Sequence, residues 1–126
     1  MPLVRITLGK GKSPELLRSL SDAVHAALVA KANVPEDDRF HVIEEVEAAH
    51  LVAHPTYGGV VRSEGLVIVQ ITLNAGRTVE VKRALYADIV HRLTEEAHVR
   101  PDDVLISLVE VTKENWSFGN GIATYA

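Results

Sequence analysis

The chain has 126 residues, 47% of them hydrophobic and 24% charged, which is enough apolar surface for a folded core and excludes an intrinsically disordered chain. Its 13 Lys and Arg against 17 Asp and Glu leave a net charge of −4, so no nucleic-acid partner is expected, since binding that backbone needs a concentrated basic face. The absence of cysteine excludes disulfides, thiolate nucleophiles and Cys-ligated metal sites, and a reducing, cytoplasmic setting is the expectation. No apolar run approaches the ~18 residues that span a bilayer, and no basic segment leads into a hydrophobic stretch at the start, so neither export nor a membrane partner is expected.

Leu3 to Leu8 is a β-branched, apolar run that ends at a Gly-containing turn, the pattern of a strand. Ser13-Pro14-Glu15 then supplies an N-cap hydroxyl, a proline at the first helical position and an acid in the first turn. Leu16, Leu17, Leu20, Val24, Ala27 and Leu28 recur at helical spacing, which predicts a helix from Pro14 to Ala32 with one apolar face. After the turn Val34-Pro35-Glu36, a second strand is predicted from Phe40 to Val46. Glu47 to Gly65, with Pro55, Gly58, Gly59 and Gly65, reads as a long connection, and connections beyond about 12 residues are often functional or shared between subunits. A third strand is predicted from Leu66 to Leu73. Thr78-Val79-Glu80 repeats the cap and the acid, and Val81, Ala84, Leu85, Ile89 and Leu93 predict a helix from Val79 to Ala97. The turn Arg100-Pro101-Asp102 leads to a fourth strand, Val104 to Val111.

The second set of elements repeats the first. At an offset of 65 residues, roughly 15 of 43 aligned pairs are identical without a gap, from Val4/Val69 through Gly11/Gly76, Arg18/Arg83 and Leu28/Leu93 to Asp38/Asp103 and Val46/Val111. The expected architecture is therefore α+β: one domain over residues 1–126, with internal β-α-β repeats at about 2–46 and 67–111. A β-α-β unit makes its strands parallel with a right-handed crossover. Pairing of the two first strands about a pseudo-twofold axis gives a four-stranded mixed sheet with both helices on one face. Strands rich in Val and Ile predict that the other face is also buried, by self-association.

The same symmetry brings four different chemistries to one edge. Antiparallel first strands put Pro2 beside Asn74–Arg77; the second strand starts there, near Asp38, and the fourth delivers Asn115-Trp116-Ser117-Phe118. Initiator methionine is removed before a small residue, so Pro2 is expected to present a free secondary amine. Such an amine titrates near pH 8 in water, lowered by desolvation and raised by a nearby aspartate. Competing readings are plain: a frayed terminal proline, Asp38 as a turn cap like Asp103, Arg77 as a solvated charge like Lys12, and Trp116 and Phe118 as core or interface aromatics. The six histidines do not read as a metal site, because His50 and His54, four apart, fall in a turn-rich segment before Pro55. Gly9-Lys10-Gly11-Lys12-Ser13 lacks the spacing of a phosphate loop.

Pro2 after Met1, the two β-α-β units, Val34-Pro35-Glu36-Asp37-Asp38-Arg39-Phe40, Gly76-Arg77-Thr78 and Trp116-Ser117-Phe118-Gly119 resemble the tautomerase superfamily, closest to its malonate semialdehyde decarboxylase-like members. The resemblance implies a homotrimer without a cofactor, an amino-terminal proline catalyst, a catalytic aspartate at Asp38 and a substrate-binding arginine at Arg77. It also implies a hydrophobic wall of Trp116 and Phe118 over a small carboxylate substrate. The family's first substrate-binding arginine is replaced here by Ala75, so Arg77 would act alone or with a backbone amide or Arg62. Three functions follow as expectations. The first is a tautomerase of 2-hydroxy-enoates and 2-oxo acids with neutral Pro2 as general base. The second is a decarboxylase or hydratase of a 3-oxo acid, such as malonate semialdehyde, with protonated Pro2. The third is a non-enzymatic trimeric binding protein.

Overall fold

The structure, a computed structural model, describes residues 1–125. Its elements run β1 (Leu3–Gly9), α1 (Pro14–Lys31), β2 (His41–Val46), β3 (Val67–Asn74), α2 (Val79–Ala97) and β4 (Val104–Val111). The strands form one mixed sheet in the order β2-β1-β3-β4. β1 is parallel to β2 and antiparallel to β3, and β3 is parallel to β4. Arg5 pairs with Gln70, its own equivalent at the 65-residue offset, so the pseudo-twofold axis passes through that pair.

Both helices start where their hydroxyls cap them. Ser13 Oγ accepts from Leu16 N–H and Thr78 Oγ1 from Val81 N–H, each at 3.2 Å, which satisfies an amide that a helix start otherwise leaves unpaired. The helices share one face of the sheet. Val4, Ile6 and Leu8 from β1 and Val67, Val69, Ile71 and Leu73 from β3 meet Leu20, Val24 and Leu28 of α1 and Leu85, Ile89 and Leu93 of α2 in one core. Alternate strand residues are buried because successive side chains point to opposite faces.

Several boundaries differ from expectation by a residue. Phe40 lies outside β2 with its ring 51% exposed, although its carbonyl accepts from Val4 N–H at 2.9 Å and so starts the β1–β2 ladder. β3 starts at Val67 and extends to Asn74, while Ala32 caps α1 rather than continuing it. The long connection is partly built: Ala48–His50 makes a 3₁₀ turn, and the Arg62 guanidinium closes the next loop by donating to His54 O and Tyr57 O.

The outer sheet face is more polar than the sequence suggested. Arg5, Gln70 and Ser107 are exposed at its centre, and Arg5 pairs with Glu44, with Val42, Leu105 and Val109 half-exposed around them. The Val and Ile that dominate the central strands lie mostly on the helix side; the period of two hides the polar positions between them.

Candidate active site

The edge where β1 begins and β3 ends is assembled by backbone pairing. Leu3 pairs with Thr72, which sets Pro2 beside the last residues of β3, and Pro2 is buried. The Met1 amine lies 3.2 Å from Asp38 Oδ2, and both side chains are largely covered. Asp38 is carried by a tight turn, its own N–H donating to Pro35 O at 3.1 Å. Two neighbours fix that turn. His25, buried on α1, donates from Nε2 to Glu36 O at 2.8 Å, and Arg39 donates to Asp22 Oδ1 at 2.6 Å.

Arg77 reaches back from the turn that follows β3. Its Nε and Nη2 donate to Ala32 O at 3.2 and 2.8 Å, and its Nη1 donates to Asn74 O at 3.1 Å. A guanidinium has five N–H donors, so two remain for a ligand. The acceptor on Ala32 is the last carbonyl region of α1, the negative end of the helix, which suits a cation. Arg77 is thus only partly exposed and is tethered at three of its donors. Glu110 stands close by: a hydrogen bond from Lys82 Nζ at 2.8 Å, with the Gly76 amide and Arg77 adding, holds its carboxyl below the usual range against a smaller upward push from desolvation.

The C-terminal segment is tied to the same place. Trp116 Nε1 donates to Asn74 Oδ1 at 2.8 Å, and its ring lies 6.4 Å from that of Phe118, which is 46% exposed and meets Tyr125 edge-on at 5.0 Å. Asn74 was not singled out from the sequence. The available signal was its departure from the repeat, since its equivalent is Gly9.

The pseudo-symmetric end differs in kind. Asp103, 2% exposed, accepts from Ser63 N–H at 2.7 Å, Ser63 Oγ–H at 2.5 Å and Arg100 Nη1 at 3.2 Å. Burial pushes its carboxyl up, but those bonds outweigh it and hold the group below the usual carboxylate range. Arg62 lies toward this end with its guanidinium on loop carbonyls, so it does not join Arg77 as the sequence had allowed.

Beneath the Asp38 turn, His41 Nδ1 bonds Ser21 Oγ at 2.8 Å and meets the His25 ring edge-on at 5.9 Å. Burial, aided by the Arg39 and His25 charges and opposed by Asp22, pushes His41 down to about 4. His50 is exposed on its 3₁₀ turn, and His54 Nδ1 accepts from Thr56 and Tyr57 N–H, so the two do not converge. Among the described residues no three His, Cys, Asp or Glu come together as metal ligands, and no helix is long and apolar enough to cross a membrane.

A duplicated β-α-β sheet with its polar groups gathered at one strand edge defines a small enzyme of the tautomerase type. Two family models described as tautomerase enzymes match the chain, over residues 38–119 and 2–60. Probable tautomerase YusQ of Bacillus subtilis (strain 168) is 42% identical over 123 residues, covering 98% of this chain and 97% of that protein. The FG41 malonate semialdehyde decarboxylase inhibited by 3-bromopropiolate superposes with a TM-score of 0.91 at 36% identity, over 98% of this chain and 93% of that one. A fused 4-OT solved as a symmetric trimer superposes with a TM-score of 0.80 at 25% identity, over 98% and 97%. The chain belongs to the tautomerase family of enzymes.

Proposed function

We propose that this enzyme interconverts 2-hydroxy-enoates and 2-oxo acids, without a cofactor, through a Pro2 amine freed by removal of Met1. The observation that carries this reading is the meeting of the chain's amine end with Asp38 at the edge where Arg77 and Trp116 are anchored. Pro2 is buried, and desolvation favours the neutral amine that a general base requires, against the opposite pull of the Asp38 carboxylate. Neutral Pro2 nitrogen takes the enol hydroxyl proton, the O–H bonding pair becomes the C=O π bond, and the C=C π pair takes the proton back from Pro2 to form the new C–H bond at the adjacent carbon. Arg77 holds the substrate carboxylate with its two remaining N–H groups and steadies the charge that develops on the enolate. Asp38 orients the amine, and Trp116 and Phe118 cover the substrate.

A second reading, decarboxylation or hydration of a 3-oxo acid by protonated Pro2, is favoured by the likeness to a malonate semialdehyde decarboxylase. Ala75 counts against it, since it stands where that activity's other arginine is expected. A homotrimer is proposed on the likeness to the trimeric fused 4-OT and on the half-exposed Val42, Leu105 and Val109 of the outer face.

Ultraviolet measurement of aryl-enolpyruvate ketonisation tests the reading. Wild type should turn over, with Pro2→Ala and Arg77→Ala slowed by at least about a hundredfold, the lower range for a lost general base. No turnover by wild type, together with CO₂ release from a 3-oxo acid, would replace the first reading by the second.

A further inference from the structure

The offset of 65 residues maps the Pro2 end of the sheet onto its opposite end. Val67 stands for Pro2, Asp103 for Asp38, Lys12 for Arg77 and Ala97 for Ala32. At the Pro2 end, the Arg77 side chain fills the space between the last turn of α1 and the end of β3. Lys12 makes no equivalent bonds to Ala97 O or Gly9 O, and among the described residues its ammonium has neither a hydrogen-bond nor an ion-pair partner. The space stays open as a cavity of about 330 Å³, walled by Leu8, Leu20 and Val99, with Lys12, Ala97 and Asp103 at its polar edge. A wider cavity of about 870 Å³ adjoins it and shares Lys12.

The other cations around Lys12 are already committed, and Glu45 Oε2 accepts from the Gly11 and Lys12 backbone N–H groups at 3.1 and 3.2 Å. Lys10 pairs with Glu47 at 2.6 Å, Arg100 with Asp103 at 3.2 Å, and Arg62 donates to His54 and Tyr57 carbonyls. Glu64 and His98 are exposed at the rim. The Asp103 oxygens accept from Ser63 and Arg100, which covers that carboxylate where it borders the cavity. What remains is an apolar hollow whose exposed edge carries Lys12 and Glu64, neither of them in an ion pair among the described residues. With its apolar walls and a cation free to bind, it has the arrangement of a small-ligand site.

We infer that this cavity is a second ligand site, which takes a small carboxylate with a short apolar tail. The tail lies against Leu8, Leu20 and Val99, and the carboxylate on Lys12. Val67 has a backbone amide where Pro2 has its amine, so the ligand is held and not turned over. The carboxylate class rests on the proposed reading of Arg77, the repeat equivalent of Lys12; the cavity does not.

The probe is 3-phenylpropionate, which has no ketone and no enol, titrated into ¹⁵N-labelled wild type, Arg77→Ala and Lys12→Ala while amide shifts are followed. The site predicts saturable shifts at Gly9, Val67 and Val99 that persist in Arg77→Ala. In Lys12→Ala they should need at least about tenfold more ligand, the effect of one lost charge-assisted bond, with ketonisation as in wild type. Shifts confined to the Pro2 end, or Lys12-end shifts of unchanged affinity in Lys12→Ala, overturn the second site and leave the proposed reaction standing. Shifts at the Lys12 end with none near Arg77 uphold the second site and count against the proposed role of Arg77.

Discussion

Arg77 donates three of its five N–H groups to carbonyls of two different segments, so it joins the end of α1 to the end of β3 at the edge proposed for the substrate. Its removal therefore acts twice. Arg77→Ala should lower stability by about 2–3 kcal/mol, because Ala32 O and Asn74 O lose charged donors, and should also raise KM for the carboxylate substrate. Arg77→Lys restores charge but not the fork, so KM should recover more than the urea midpoint does; equal recovery of both would contradict the two roles. The two repeat-related aspartates separate in the same way. Asp103→Ala removes the buried carboxylate that accepts from Ser63 N–H, Ser63 Oγ–H and Arg100 and should cost about 2 kcal/mol by urea unfolding, since exposed Ser63 can turn to water. Asp38, beside the chain's amine, should leave the midpoint nearly unchanged when replaced by Ala and should lower kcat instead. A matching loss of stability in both variants would make Asp38 a turn cap. None of these contacts was legible in the sequence. The repeat showed that the residues correspond, but their different partners, the Met1 amine and Ser63, depend on what the chain does outside the repeat.

At the scale of elements, the caps and periodicities were sufficient. Ser13 and Thr78 marked both helix starts, and the leucine spacing located the shared face. The antiparallel β1–β3 pairing followed from the duplication alone and brought Pro2, Asp38, Arg77 and Trp116 to one edge. Sequence failed where polar groups are buried between elements. The histidines invited only a metal reading, yet His25 and His41 lie in the seam between α1 and β2, where His25 supports the Asp38 turn. That seam should be sensitive to acid. Folded His41 stays neutral down to about pH 4, while in the unfolded chain it takes a proton near its ordinary 6.5. Between those values the unfolded chain binds more protons, so stability falls as pH drops from about 6.5 to about 4. Asp22 and Asp103 are held below their ordinary 3.8, so their losses come at lower pH. Urea midpoints of wild type should decline from pH 7 to 4.5 more steeply than those of His41→Gln; parallel declines would remove His41 from the account.

For the whole molecule, one sheet with two helices on one side leaves a face of Arg5, Glu44, Gln70 and Ser107 ringed by Val42, Leu105 and Val109. A mixed face of this kind suits an interface whose register is set by polar pairs and whose free energy comes from the apolar ring. Sedimentation of wild type at micromolar concentration should give a trimer, and Val109→Lys should shift it toward smaller species; a wild-type monomer would contradict the assembly. The duplication gives the molecule two like ends, and only one of them carries the chain's terminal amine. That asymmetry makes the ionisation of Pro2 the most direct test of the central claim. In protein labelled with ¹⁵N-proline, Pro2 should appear as a secondary amine that titrates near or below neutrality. A proline amide signal at that position, which means Met1 is retained, or an amine that titrates well above neutrality would contradict a general base at Pro2.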